Sequence, residues 1–269
     1  MKTNGDYVLT PQGLVHKSRV HQAKSEDEAG TPEPAPNRFT PSNSVMRALS
    51  PNGWKASATF AAYLPLGKMS VKFKVPEAPS VGGAVIFLFP GAQNAQMRTI
   101  LQPVLQWGNN GEFGGEYWTI ACWHVSTKAH WYHSTPETVN TGDVVTGTVE
   151  VVEVVQGPDG EKCCTWQIEA STESGVRTRH KVNNVSSLML FLVGAALEAY
   201  PEDPCCTAIT RDQYPASSTI FTDIELTDLA GYQFIADWNA RCDMGDNSLC
   251  GCNNTVQISP DKSTITLKY

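Results

Sequence analysis

The feature that most limits what this chain can fold into is a succession of short apolar runs from Trp54 onward, each ended by a turn signal, with no sustained helical repeat. Ser70–Val75 (SVKFKV) alternates apolar and polar residues and stops at Pro76. Ala84–Phe89 (AVIFLF) is continuously apolar and stops at Pro90-Gly91, and Val144–Val155 alternates through TGTVEVVEVV. Thr165–Ala170, Leu188–Tyr200, Thr219–Leu226 and Thr264–Lys268 continue the series. Alternation marks a half-buried strand, and a short continuous run bounded by turn residues marks one covered on both faces. Asn109-Asn110-Gly111, Gly114-Gly115, Thr141-Gly142-Asp143 and Gly157-Pro158-Asp159-Gly160 supply turns between them, with Asp143 as a turn residue. Helical periodicity and capping signals nowhere coincide over ten residues. The chain therefore reads as all-β, a two-sheet antiparallel β-sandwich or jelly roll over residues 54–269, whose concave face would host a ligand cleft.

Within that pattern Ile100–Trp123 (ILQPVLQWGNNGEFGGEYWTIACW) reads as a strand, a glycine-rich turn and a second strand. Gln102, Val104 and Gln106 share parity, so the two amides face one side and Leu101 and Leu105 the other. Two glutamines among apolar residues are either hydrogen-bonded core groups or the floor of a polar cleft. Trp107, Tyr117, Trp118, Trp123 and Trp131 form a candidate aromatic shelf for a peptide or sugar, with core packing as the competing use of the same residues.

Residues 1–53 differ from the rest of the chain, with six prolines, few apolar residues and no sustained periodicity. They read as an irregular N-terminal extension, a propeptide-like or linker segment, with no regular structure expected over 22–44. Lys2, Lys17, Arg19 and Lys24 stand against Asp6 in its first part, whereas the body from Trp54 holds 14 basic and 22 acidic residues, so a basic arm could lie across an acidic body. Over the whole chain the net charge is -7 with 17% charged residues and no basic stripe, which argues against nucleic acid and for neutral or cationic partners. The longest apolar run, Ser187–Leu197, is too short to span a bilayer, and MKTNGDYVLT lacks the apolar core of a signal peptide; neither a membrane partner nor a secretion signal is expected from this sequence.

Eight cysteines include adjacent pairs at Cys163-Cys164 and Cys205-Cys206 and a cluster at Cys242, Cys250 and Cys252, compatible with disulfides or with free thiols. A zinc reading of the cluster lacks both the CxxC spacing and a nearby His-x3-His, so no metal or other cofactor is expected. Cys122 with His124, His130 and His133 suggests a thiol nucleophile, but Cys122 lies in an apolar strand between Ile120 and Trp123, where a buried, inert cysteine is the better reading. His130 and His133 beside Trp131 and Tyr132 read as a partly exposed aromatic-histidine surface.

Eight runs, in order, resemble motifs of the glutamic peptidases, the eqolisin family, whose fold is a concanavalin-like β-sandwich. Trp54 with SVKFKVPEAPS resembles the family's leading Trp and V-S-A-T-W-x-V-P; AVIFLFPG resembles W-V-G-I-D-G; VLQWG resembles I-L-Q-T-G; WTIACW resembles W-Y-E-W. VNTGDVVTGTVEV resembles I-S-x-G-D-x-I-x-V-x-V, GAALEAY resembles A-E-W-I-V-E-D-F, TIFTDIELTD resembles F-x-V-x-F-T-N and STITLKY resembles S-x-T-V-x-Y. The resemblance carries the family's catalytic Gln onto Gln106, with Gln102 as rival, and its catalytic Glu onto Glu198. It also implies a secreted protein. Glu198 ends an apolar run, where desolvation raises a carboxyl pKa. The chain departs from the family where the Glu of W-Y-E-W becomes Ala121 or Cys122, and where the Trp and Asp of W-V-G-I-D-G become Ile86 and Pro90.

Two functions fit these residues. One is a peptide hydrolase, a glutamic endopeptidase, in which Glu198 takes a proton from water and Gln106 orients that water and donates to the oxyanion. The other is a non-catalytic carbohydrate- or peptide-binding sandwich gripping its ligand through Gln102, Trp107, Tyr117, Trp118 and Trp123. The hydrolase requires Gln106 and Glu198 to converge on the concave face of one sheet.

Overall fold

The computed structural model describes residues 7–11, 13–23, 53–96, 98–126, 131–156, 162–186, 189–201, 209–242 and 254–269. Three short strands, β1 (Tyr7–Thr10), β2 (Gly13–His16) and β3 (Val20–Gln22), precede the body. The body runs through β4 (Trp54–Ala61), β5 (Leu66–Lys74), β6 (Ala84–Asn94), β7 (Thr99–Trp107), β8 (Trp118–Ser126), β9 (Trp131–His133), β10 (Glu137–Val139), β11 (Val144–Gln156), β12 (Lys162–Thr172), β13 (Arg177–Ser186), β14 (Met189–Pro201), β15 (Thr219–Asp228), β16 (Asn239–Cys242), β17 (Thr255–Ile258) and β18 (Ile265–Lys268). No α-helix occurs among the described residues.

Two sheets form the sandwich. One has the order β16-β4-β14-β6-β7-β8-β9-β3, with β10 also pairing β8; the other has the order β13-β12-β11-β5-β15-β18-β17. Between them lies a core that includes Phe73, Leu88, Leu105, Ile120, Trp166, Ile168, Leu197 and Phe221, with Phe73 and Phe221 stacked at 5.1 Å. In the second sheet the strands alternate as the sequence does: in β5, Met69, Val71 and Phe73 are buried while Ser70 and Lys72 are only partly so. By contrast every residue of β6, β7 and β8 is buried. These strands are covered on both faces, which is why AVIFLF is continuous.

The second cover comes from the other face of the first sheet, where Val85, Phe87, Phe89, Ile100, Val104, Ala121, Trp123 and Val193 form a separate apolar cluster with Val8, Val15 and Val20. The extension is thus not irregular where it is described: β1 and β2 form a hairpin over this face, and β3 adds to β9 in parallel. Apolar residues at 8, 15 and 20 bury against the body, and that tertiary gain overrides the weak local pattern. The rest of the expectation for 22–44, beyond Ala23, lies outside the described residues. The basic-arm idea has one ion pair in its favour, Lys17 Nζ to Glu112 Oε2 at 3.7 Å, supplemented by Arg19 over the Trp131 ring at 5.2 Å.

At one corner the sheets are joined by rings. His124 of β8, Tyr132 of β9 and His180 of β13 lie 6.2–6.4 Å apart, centroid to centroid. His133, expected partly exposed, is buried against Phe113 and Trp123 at 5.0 Å each. Neither nitrogen of His180, nor Nδ1 of His124, has a hydrogen-bond partner among the described residues. Burial, and secondarily the neighbouring imidazole, lowers His124 to about 3 and His180 to about 4. A histidine with a depressed folded pKa is protonated first in the unfolded chain, so its stabilising effect is intact above the ordinary value of 6.5 and is lost as pH falls toward 4 and 3. Stability measured by denaturant should therefore drop more steeply between pH 6.5 and 4.5 in the wild type than in His124→Leu/His180→Leu, by about 2–4 kcal/mol at the acid end. Parallel pH profiles would show that these rings titrate as in the unfolded chain.

Candidate active site

The site face of the first sheet is ordered by register. Phe87 of β6 pairs with Gln106 of β7 on one side and with Glu198 of β14 on the other. Residues directly opposite in a sheet project to the same face, so Gln106, Phe87 and Glu198 stand in one row. The row continues to Thr119 of β8 at one end and Trp54 of β4 at the other. Two strand spacings set the Gln106 and Glu198 Cα atoms about 10 Å apart, with Phe87 between them in the row. Gln102 shares the face, as parity predicts, but stands four residues down β7 opposite Trp123. That offset of about 13 Å along the strand removes it from the Glu198 row.

The pleat sorts the remaining candidates. Ile86, which stands at the family's Trp, lies in the core between the sheets; Val85, Phe87 and Phe89 line the face, and Pro90 takes the opposite parity from them. Trp107 and Trp118 also turn into the intersheet core, packed against each other at 5.3 Å, and cannot belong to a ligand shelf on this face. Trp123 does lie on it, and Tyr117 is 46% exposed in the approach to β8. Of the two residues matching the family's W-Y-E-W glutamate, Ala121 faces the site and Cys122 faces the core. The Cys122 thiol donates to Thr178 O at 3.5 Å, and burial pushes its pKa far up, so it is no nucleophile. Among the described residues no group of three or more His, Cys, Asp or Glu is arranged to hold a metal; Cys250 and Cys252 lie outside them.

The Gln106 head sits inside the turn that follows its own strand. Its Nε2 donates to Gly108 O at 3.0 Å and to Phe113 O at 3.3 Å, and its Oε1 accepts from Asn110 Nδ2 at 3.2 Å. Glycine is required for the turn to close this tightly: Gly114, at φ +95°, would bring a Cβ within 2.7 Å of Gln106 Nε2 and 2.3 Å of Gly108 O. The same turn anchors the cover, because Leu9 N donates to Asn110 O at 2.7 Å. Asn110 was not legible as a site residue, since Asn-Asn-Gly reads only as a turn.

Glu198 has the opposite environment. It is fully buried, and neither carboxyl oxygen accepts a hydrogen bond among the described residues. Desolvation raises its pKa well above 4.5, as the apolar run ahead of it implied. Tyr200, two residues on and beside Phe87 at 6.2 Å, has its pKa raised by burial and then by the Glu198 charge. Trp54 Nε1, Tyr200 Oη, Gln93 Oε1, Trp123 Nε1 and both ends of Gln102 are likewise buried without partners among the described residues. Buried polar groups are paired in more than about 90% of cases, so these groups cost the fold stability where they stand.

A carboxyl with a raised folded pKa contributes its stabilising effect below the unfolded value and loses it as pH rises through the folded one. Glu198→Gln should accordingly leave stability nearly unchanged at about pH 4 and raise it by about 1–3 kcal/mol near pH 8, read from denaturant midpoints. A variant less stable than wild type at pH 8 would mean that the folded protein stabilises the carboxylate after all.

Comparison with solved structures finds the architecture elsewhere. Scytalido-glutamic peptidase with a peptide-based transition-state analogue matches at a TM-score of 0.52 and 15% identity, covering 81% of this chain and 98% of that one. The same peptidase with a transition-state analogue inhibitor matches at a TM-score of 0.53, also at 15% identity and with the same coverage of both chains. SCP-B, a member of the eqolisin family, in complex with the tripeptide Ala-Ile-His, matches at 0.50 and 15% identity, again with 81% and 98% covered. No family model matches the chain, and no curated protein matches it in sequence. The fold expected from eight short motifs is therefore found in three dimensions: this chain has the β-sandwich fold seen in the glutamic peptidase structures.

Proposed function

We propose that this protein is a peptide hydrolase of the glutamic-peptidase type, with Glu198 as the proton-transfer group and Gln106 as the oxyanion donor. The observation that carries the reading is the row Gln106, Phe87, Glu198, which sets an amide and a buried carboxyl on one face outside the intersheet core. In the reaction, ionised Glu198 takes a proton from water as the water oxygen attacks the scissile carbonyl. The oxyanion is held by Gln106, and protonated Glu198 then gives the proton to the departing amine. The Gln106 N–H now directed to Phe113 O at 3.3 Å is the longer of its two donor bonds, and a charged oxyanion is the stronger acceptor that would take it over.

The β1–β2 hairpin supports an inhibitory role for the N-terminal extension, because Val8 and Val15 share the apolar cluster of Phe87 and Trp123. Substrate would have to displace the hairpin, and the Leu9–Asn110 bond makes its release adjacent to the Gln106 turn. A second reading, a non-catalytic peptide-binding sandwich, is favoured by the position of Phe87 between the two groups in the row.

The deciding assay is hydrolysis of a denatured protein across about pH 2–8. Activity should peak at mildly acidic pH, since a carboxyl serving as both base and acid works best near its own pKa. Glu198→Gln and Gln106→Ala should each lower the rate by at least ~10², and Val8→Asp/Val15→Asp should raise it by unseating the hairpin. Near-wild-type turnover in both dyad variants would reject the mechanism. No turnover by wild type or the unseated variant at any pH, together with peptide binding, would establish the binding module.

A further inference from the structure

The Gln106 amide is useful as an oxyanion donor only if its nitrogen end, and not its oxygen, is presented consistently. A glutamine head turns on a broad terminal torsion that does not enforce this by itself. Asn110 is 2% exposed, and its Oδ1 accepts from Glu112 N and Phe113 N, both at 2.9 Å. A backbone N–H can only donate, so the oxygen end of Asn110 is fixed and its Nδ2 must point the other way, to Gln106 Oε1 at 3.2 Å. Gly108 O and Phe113 O can only accept, so they independently demand the nitrogen end of Gln106. The two amides interlock in a single orientation dictated by backbone groups of known polarity.

We propose that Asn110 is a positioning residue for Gln106, the side chain that fixes which end of that amide is offered to a reacting carbonyl. The inference rests on the reading of Gln106 as oxyanion donor and adds to it the source of its orientation. Orientation of this kind is worth more in the transition state than in substrate binding, because a misdirected amide still packs but presents a lone pair to developing negative charge. Asn110 also ties the head to the cover through its carbonyl, which accepts from Leu9 N at 2.7 Å. Asn110 thus joins the hairpin and the Gln106 amide through a single residue.

The discriminating variant is Asn110→Asp. It keeps the volume and the acceptor bonds to Glu112 N and Phe113 N, so the turn is retained, but it replaces the donor facing Gln106 with an acceptor. Turnover should fall about tenfold or more in kcat with KM within about twofold. The defect should shrink as pH falls, because a protonated carboxyl regains a donor. In parallel, the Gln106 side-chain NH2 signals in a 1H–15N spectrum should shift and lose slow exchange at neutral pH and recover in acid, while the backbone amides of Glu112 and Phe113 stay put. Asn110→Ala, which removes both roles, should show the kcat loss with no recovery in acid. Unchanged Gln106 NH2 signals in Asn110→Asp, or an unchanged kcat, would overturn the proposal. If the wild type hydrolyses nothing, the hydrolase reading falls, and the NH2 signals still decide whether Asn110 orients Gln106.

Discussion

Because successive side chains of a strand leave opposite faces of the sheet, β6 serves two interiors at once, and the site depends on that division. Its Ile86 and Leu88 hold the intersheet core, while Val85, Phe87 and Phe89 build the outer face. The neighbouring strands follow the same rule through their pairing with β6, so an even split of apolar residues on one strand fixes where amides and carboxyls on the next ones emerge. A one-residue slip in register would send Gln106 and Glu198 into the sandwich. The deep intersheet packing of Trp166, Phe73 and Phe221 is thus what keeps the polar row outside it.

The two members of that row are held in opposite ways. Gln106 is over-determined, with both ends of its amide bonded within a glycine-built turn, whereas Glu198 is flanked in register by Trp54 and Phe87 and has no hydrogen-bond partner among the described residues. An unsatisfied buried polar group costs about 1–3 kcal/mol, and an ionised one more. The fold tolerates this at Glu198, and at Gln102 on the same face, because each unsatisfied group is a small fraction of the apolar burial holding three layers together. The hairpin of β1 and β2 reinforces the isolation by burying Val8 and Val15 in the apolar cluster of this face.

Much of this was legible in the residues, and the exceptions have physical reasons. Alternation and turn chemistry located β5, β6, β11, β12, β14, β15 and β18, and parity put Gln102 and Gln106 on one face. The same logic could not divide AVIFLF, because a strand covered on both sides carries no apolar-polar contrast to show that Ile86 faces one interior and Phe87 the other. Trp107 and Trp118 were misread because a tryptophan fits a core and a ligand shelf equally well. The face of Glu198 could not be counted from Val193, since β14 shifts register between Val193 and Ala196. The extension's β3 was missed because its partner lies far along the chain, Val20 pairing with Trp131, and the local β1–β2 hairpin was missed because the apolar surface that Val8 and Val15 bury against belongs to the distant body.

The parallel pairing of β3 with β9 has a consequence of another kind. A strand at the margin of a sheet offers a row of unpaired amides and carbonyls, a template on which other chains can polymerise. Here that margin is occupied from within the molecule, with Arg19 laid over the Trp131 ring and Gln22 Nε2 bonded to Thr135 Oγ1 at 3.0 Å. The segment that covers the candidate site face therefore also covers the β9 edge, leaving only the three residues of β3 as the margin of the sheet, and losing it would bare an apolar face and an open edge in the same event.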